Sequence, residues 1–439
     1  MRTAVTCALV AAWGTCVVAC SPFSGGGAFT CTDSTQCSSA GVMGTCEPNG
    51  FCSFLDPNCP SGSRYGSSSG PNSDRCVGEE VPIDAREADA TVIDMPLAID
   101  AACDIGGLDL CARQPLGPLN VAVSETLNTN DDPRCQDLSQ GTGPTACLVY
   151  VSSVSVGAGA TLQAIGDRPL VIASVGSIAV FGTIDASSYR NGPTGAGANF
   201  STCAPKTLAA DDPGGGGGAA GGSFRGQGGD GGTGDSDDSL PPNQGTGTPG
   251  TAADPIGPPE FARGGCPGAR GGNEGTAGGD GRGGSGGSGG GALWLFANDV
   301  ISVNGIVRAT GAGGNGGQKQ AGGGGGGSGG YIKLVASSIN VGGVISANGG
   351  GGGEGGCTCN SLPLTGDFGG NGNASNVQAD GGSSFAMPGG DGGRASANTL
   401  LDGSNGQSSA VGGGGGGGGA GFVVLVGNTT ITGIVTPVP

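Results

Sequence analysis

The chain contains no histidine. This removes Ser/His/Asp and Cys/His nucleophile systems, imidazole zinc ligands and histidine pH switches together. Chemistry would have to run on carboxylates, Arg, Lys or Tyr. Asp185, Asp299, Arg308 and Lys333 fit such a task best, because they lie on or beside short alternating apolar segments. Carboxylates with a neighbouring cation are what acid–base cleavage of an acidic polysaccharide requires. Spacing gives none of the four a partner, so they read first as outward polar residues of strands, with a turn aspartate at 299. "GDSDDS", residues 234–239, offers clustered oxygen ligands of the kind calcium takes. The surrounding repeats fail the calcium-coil pattern GGxGxDxUx: Thr233 and Arg394 stand where the liganding aspartates belong. A solvated acidic loop is the simpler reading, and no cofactor is expected. "GAGGNG", residues 311–316, satisfies GxGxxG, but no helix follows it and glycine this abundant makes the match by chance. Cys357-Thr-Cys359 has the spacing of a redox pair, yet disulfides to Cys203 and Cys266 explain it with less.

The elements that must position these residues are few. The chain has 439 residues, of which 103 are glycine, and only 4% are aromatic, so its apolar capacity is concentrated in short blocks. Three short alternating strands recur as a unit: 148–151, 154–156 and 161–164, then 170–173, 178–180 and 183–186. The block "LWLFANDVISVNGIVRA" from Leu293 repeats them as 293–296, 300–303 and 306–309, and further copies start at Tyr331 and Phe422. Ile178-Ala179-Val180, Ile301-Ser302-Val303 and Ile339-Asn340-Val341 align position by position. Three strands per roughly 22–24 residues suit one coil of a parallel β-helix, in which each coil buries its inward residues only by stacking on the next. A sandwich of hairpins is the alternative, because Asn304-Gly305 is also a favoured hairpin turn. Glycine-rich insertions leave the repeat after its third strand, at about 189–291, 310–330 and 348–421. They are either flexible coil or ordered polyglycine II, and glycine's ordering entropy favours coil unless bonds between segments offset it.

The first residues, "MRTAVTCALVAAWGTCVVACSPF", read as an export signal over 1–19. Six cysteines follow, Cys31, Cys37, Cys46, Cys52, Cys59 and Cys76, in a stretch with almost no apolar run. Such a module, 31–77, needs about three disulfides at roughly 2–4 kcal/mol each to fold. The remaining candidates for pairing are Cys103, Cys111, Cys135, Cys147, Cys203, Cys266, Cys357 and Cys359. Residues 78–102 are acidic and aperiodic, which reads as a solvated, disordered linker. The net charge of −18, without a basic stripe, argues against nucleic acid.

Val17-Val18-Ala19-Cys20 resembles the lipobox of bacterial lipoproteins. The resemblance implies cleavage before Cys20, lipidation of that residue, a short tether over 20–30 and attachment to the membrane through the lipid. Ser21 resembles the sorting residue of outer-membrane lipoproteins. The spacing "CTDSTQC...GTCEPNGFCSFLDPNC" is similar to cysteine-rich modules of large myxobacterial surface lipoproteins, and the strand repeat resembles the right-handed β-helices of pectate lyases. The expectation is an all-β protein: a disulfide module, then from 103 to 439 a short parallel β-helix with long Gly-rich insertions. Its expected role is a non-enzymatic adhesin or envelope protein that presents a Gly-rich face to polysaccharide or other cell-surface components. A β-helix lyase or hydrolase and a periplasm-facing scaffold are the alternatives.

Overall fold

The computed structural model describes residues 30–39, 41–69, 72–78, 104–237, 245–275, 281–359, 362–384 and 389–439. The signal segment, Cys20, residues 79–102 of the linker, Cys103, and Asp238 and Ser239 of the acidic loop lie outside these. The chain divides into two units, 1–95 and 96–439. Among the described residues the fold is all-β, with one short 3-10 turn at Ser34–Gln36. Among the described residues, no helix is long and apolar enough to cross a membrane.

The N-terminal unit has a three-stranded antiparallel sheet of Thr45–Cys46, Cys52–Leu55 and Ser63–Tyr65. Its described residues are bridged at Cys31–Cys46, Cys37–Cys52 and Cys59–Cys76. The sulfurs of Cys31, Cys37 and Cys46 lie within 4.8 Å of one another, but all three are committed to the first two of these bridges. The buried cluster here is cystine with Phe54 packed on it, so cross-links stand in for the apolar core the segment lacks.

The C-terminal unit is built from three parallel ladders. The first joins Ala146–Val151, Leu170–Ser174, Ala292–Ala297 and the leading parts of Tyr331–Val341 and Phe422–Ile431. The second joins Leu119–Val121, Val154–Val156, Ile178–Val180, Val300–Val303 and the trailing parts of the same two long strands. Because Tyr331–Val341 belongs to both, these two ladders merge into one curled ten-stranded sheet. Glu125–Asn128, Thr161–Ile165, Thr183–Asp185, Ile306–Arg308, Val344–Ser346 and Ile434–Thr436 form the third, a separate six-stranded sheet.

Parallel pairing rules out the hairpin sandwich. The strands on either side of Asn304-Gly305 belong to different sheets and pair with corresponding strands of other repeats. The alignment of Ile178, Ile301 and Ile339 in sequence is their register in space. Inward residues such as Leu162, Ile184, Val307 and Ile345 stack in one column and are fully buried. First-ladder strands are buried on both faces, which is why "ALWLFA" runs apolar without a break. Their second face carries Trp294, Phe296, Tyr331 and Phe422, covered by Ile105, Leu110, Phe224 and Ala262.

Glycine-rich segments leave after third-ladder strands and re-enter before first-ladder strands, and among the described residues they form an ordered bundle. Successive N–H groups from Gly322 to Gly330 donate in strict rotation to three segments. Gly322, Gly325 and Ser328 bond to Gly272, Ala269 and Cys266; Gly323, Gly326 and Gly329 to Gly413, Gly416 and Gly419; Gly324, Gly327 and Gly330 to Asn315, Ala312 and Ala309. Carbonyls of 320–328 accept from Gly216, Ala219 and Gly222, from Gly284, Gly287 and Gly290, and from Gly350, Gly353 and Gly356. A three-residue rotation is the screw of a polyproline-II-like chain. With three donor and three acceptor neighbours, 321–330 is the centre of a hexagonal polyglycine II bundle, and every residue in it is buried. Each glycine thereby gains a hydrogen bond to a neighbouring segment, worth about 0.5–1.5 kcal/mol net, which offsets its large ordering entropy.

Disulfides tie this unit at Cys135–Cys147, Cys203–Cys266 and Cys357–Cys359, and Cys111 is also bridged. The expected bonds from Cys357 and Cys359 to Cys203 and Cys266 do not form. Cys266 lies beside Ser328, whereas Gly356 lies beside Ala321. Seven residues of extended screw at about 3.1 Å each separate these levels by roughly 20 Å. Cys357 and Cys359 instead close on each other at the start of a small hairpin with Leu362–Leu364.

Candidate functional site

Two of the four residues singled out for chemistry meet. Gln163, Asp185 and Arg308 are register partners on the outer face of the third ladder, alternating with buried Leu162, Ile184 and Val307. Asp185 is almost wholly buried and its carboxylate is fully engaged. Oδ1 accepts from the Ser187 N–H at 2.9 Å; Oδ2 accepts from the Tyr189 hydroxyl at 2.7 Å and from Arg308 at 2.9 Å. The guanidinium of Arg308 also lies 5.6 Å from the centre of the Tyr189 ring. Burial, reinforced by the Asp185 charge, pushes the Tyr189 phenol far above its ordinary pKa.

These residues line an open groove with Ser124, Glu125, Thr126, Thr161 and Gln163. Glu125, the groove's second carboxylate, is paired with Arg134 at 2.7 Å, and Arg134 also holds Asp132 at 2.8 Å. The result is a row of hydroxyls, an amide and neutralised ion pairs. Such a surface can exchange hydrogen bonds with a polyhydroxylated chain. It does not set up a free acid opposite a free base, the arrangement acid–base glycoside cleavage requires.

Hydrogen bonding to Arg134 holds the Asp132 carboxyl below its usual range. A depressed carboxyl pKa contributes stability that is present above the unfolded value, about 3.9, and is lost as pH falls through the folded value. Arg134→Met should therefore destabilise the protein at pH 7. The gap from wild type should narrow on acidification from about pH 4 to pH 2, as read by urea midpoints.

Lys333 and Asp299 stand elsewhere. Lys333 is on the outer face of the first ladder, its Nζ 4.5 Å from the Trp294 ring centre and 5.9 Å from that of Phe296, and burial lowers its pKa. Asp299 occupies the corner between first- and second-ladder strands, where its carbonyl accepts from the Ser338 N–H at 3.3 Å. Neither joins the Asp185 cluster.

The glycine motifs are structural. Within "GAGGNG" the amides of Gly311 and Gly314 donate to Asn348 and Gly351, so they bond to bundle neighbours. In the first failed calcium repeat, Asp230 accepts from the Ala252 N–H at 2.8 Å and its own N–H donates to Asn405 at 2.8 Å.

Sequence reasoning missed Tyr189, Gln163, Glu125 and Arg134 as groove residues. Tyr189, four residues beyond Asp185, gave the one local signal. It also missed a period of three in the outer bundle segments. Gln227, Asp230 and Thr233 each donate a backbone N–H to the side chains of Asp402, Asn405 and Ser408, and both sets are spaced by three residues. Compared with family models, curated proteins and solved structures, the chain matches none.

Proposed function

We propose that the chain is an exported, lipid-anchored surface protein that acts as a non-enzymatic adhesin or cell-envelope component. In this reading the three ladders are the faces of a short parallel β-helix whose coils are the three-strand repeats, and the anchor at Cys20 and the acidic spacer hold it away from a membrane. One observation carries the proposal: the glycine-rich insertions build an ordered polyglycine bundle around 321–330. A bundle bonded in three directions is stiff, and its polar edges and the Gln163–Asp185–Arg308 groove suit a polyhydroxylated partner.

The test is incubation with a panel of soluble and insoluble polysaccharides, scoring loss of protein from solution and appearance of new chain ends. Depletion without new ends is expected. New ends would instead overturn this reading and support the second, a polysaccharide lyase or hydrolase using carboxylates. For the anchor, palmitate labelling should fall to background in Cys20→Ala; equal labelling would end that part of the proposal. Protease shaving of intact cells separates surface display from a periplasm-facing scaffold, since a periplasmic protein would survive it.

A further inference from the structure

Arg263 is the one Arg or Lys among the described residues that is buried, and it is only 5% exposed. Its guanidinium finds neutral partners alone: the Thr202 hydroxyl at 2.9 Å, the sulfurs of Cys203 and Cys266 at 2.9 and 3.3 Å, and the Gly264 carbonyl at 3.3 Å. The rings of Phe200 and Phe224 each lie 5.0 Å from it, and burial lowers its pKa. Half-buried arginines elsewhere pair with carboxylates: Arg168 with Asp137, Arg134 with Asp132 and Arg308 with Asp185. A buried charge is ordinarily paired, so a desolvated guanidinium without a counter-ion is an unusual feature to retain.

Arg263 forms part of the wall of a cavity of about 200 Å³, together with Thr202, Pro205, Ser223, Ala253 and Ile256. That is below the roughly 300–1,000 Å³ of pockets for larger ligands, so it suits one small group. We propose that this cavity binds a single carboxylate, with Arg263 as its counter-charge. Thr202 supports the role, because its oxygen accepts from the guanidinium and leaves its own O–H to donate. The Cys203–Cys266 bridge fixes the site, three residues from Arg263. A monoanion fits better than a phosphate or sulfate dianion. The site has one cation, and the one acid on the wall, Asp254, is already paired with Lys206 at 2.6 Å. A bound carboxylate would also accept a charge-assisted hydrogen bond from a guanidinium N–H that Thr202, the two sulfurs and Gly264 leave open. The ligand could be a free small organic acid or a uronate residue of a polysaccharide; the site does not depend on the adhesin reading.

The experiment is calorimetric titration of the intact protein, at constant ionic strength, with sodium glucuronate, sodium acetate, glucose and sodium chloride. Saturable heat is expected from the carboxylates and none from glucose or chloride. Glucuronate binding at least tenfold tighter than acetate would identify a uronate as the ligand; equal affinities would identify a free small acid. Arg263→Met should weaken carboxylate binding at least tenfold. Should that variant fail to fold, Ala253→Trp fills the cavity while keeping the cation and should have the same effect. The proposal is overturned if no carboxylate gives saturable heat, if chloride or glucose binds equally well, or if the folded variant binds with unchanged affinity.

Discussion

Gly326→Ala should destabilise the C-terminal unit by about 3 kcal/mol or more, at the upper end of the cost of overpacking a filled interior. A Cβ at this position would stand 1.9 Å from the Gly350 carbonyl oxygen. The obstacle is backbone, so no side-chain rotation relieves it. Retreat of the 347–356 segment would break its bonds to Gly324 and Gly327 and loosen its contact with 412–421. Gly257→Ala is the control. This glycine is exposed with nothing within 4 Å of the added Cβ, so the substitution should be neutral or stabilise by up to about 1 kcal/mol through the unfolded state. Urea denaturation of the two variants beside wild type checks both values. Equal, small effects would mean that the bundle is not close-packed in solution.

Amide hydrogen exchange across 310–330 should be slowed by at least about a thousandfold relative to an unstructured chain. All nine amides from 322 to 330 donate to carbonyls of other segments at 2.7–3.0 Å, within a run that is buried throughout. Opening most of them requires separating segments far apart in sequence, since only Gly324, Gly327 and Gly330 bond to the nearby 309–315 segment. Exchange should thus approach the rate set by unfolding of the whole unit rather than by local fraying. A mass-spectrometric time course reads this directly, and complete exchange of 310–330 at the first time point would refute the ordered bundle. Residues 401–408, at the bundle's edge, should exchange faster than the centre, because Asp402, Asn405 and Ser408 accept there with exposed or half-exposed side chains.

How far the groove could be read from sequence follows from the same geometry. Alternation put Asp185 and Arg308 on the outer side of their strands, and the repeat put them in equivalent coils. Their contact was still out of reach, because 106 residues separate Asp185 from Ala292, where the next repeat begins, and nothing local states that the strands on either side are neighbours. Lys333 on an equally regular strand and Asp299 at the corner before one carry equally suitable chemistry, yet neither joins Asp185. Arg263 gave no signal at all, since its environment is assembled from residues near 200, 224 and 266.

The sequence by itself determined the strands, their parallel-compatible repeat, the places where glycine-rich chain leaves it and the dependence of the N-terminal unit on cystine. These are set by short-range facts: side-chain alternation, turn residues and the lack of apolar surface between Cys31 and Cys76. Only the tertiary structure decided that the glycine segments are ordered. A lone polyglycine II chain makes no internal hydrogen bonds, so its stability exists only when six neighbours satisfy it. Those neighbours come from 216–222, 266–272, 284–290, 309–315, 350–356 and 413–419, and no window of sequence contains them together.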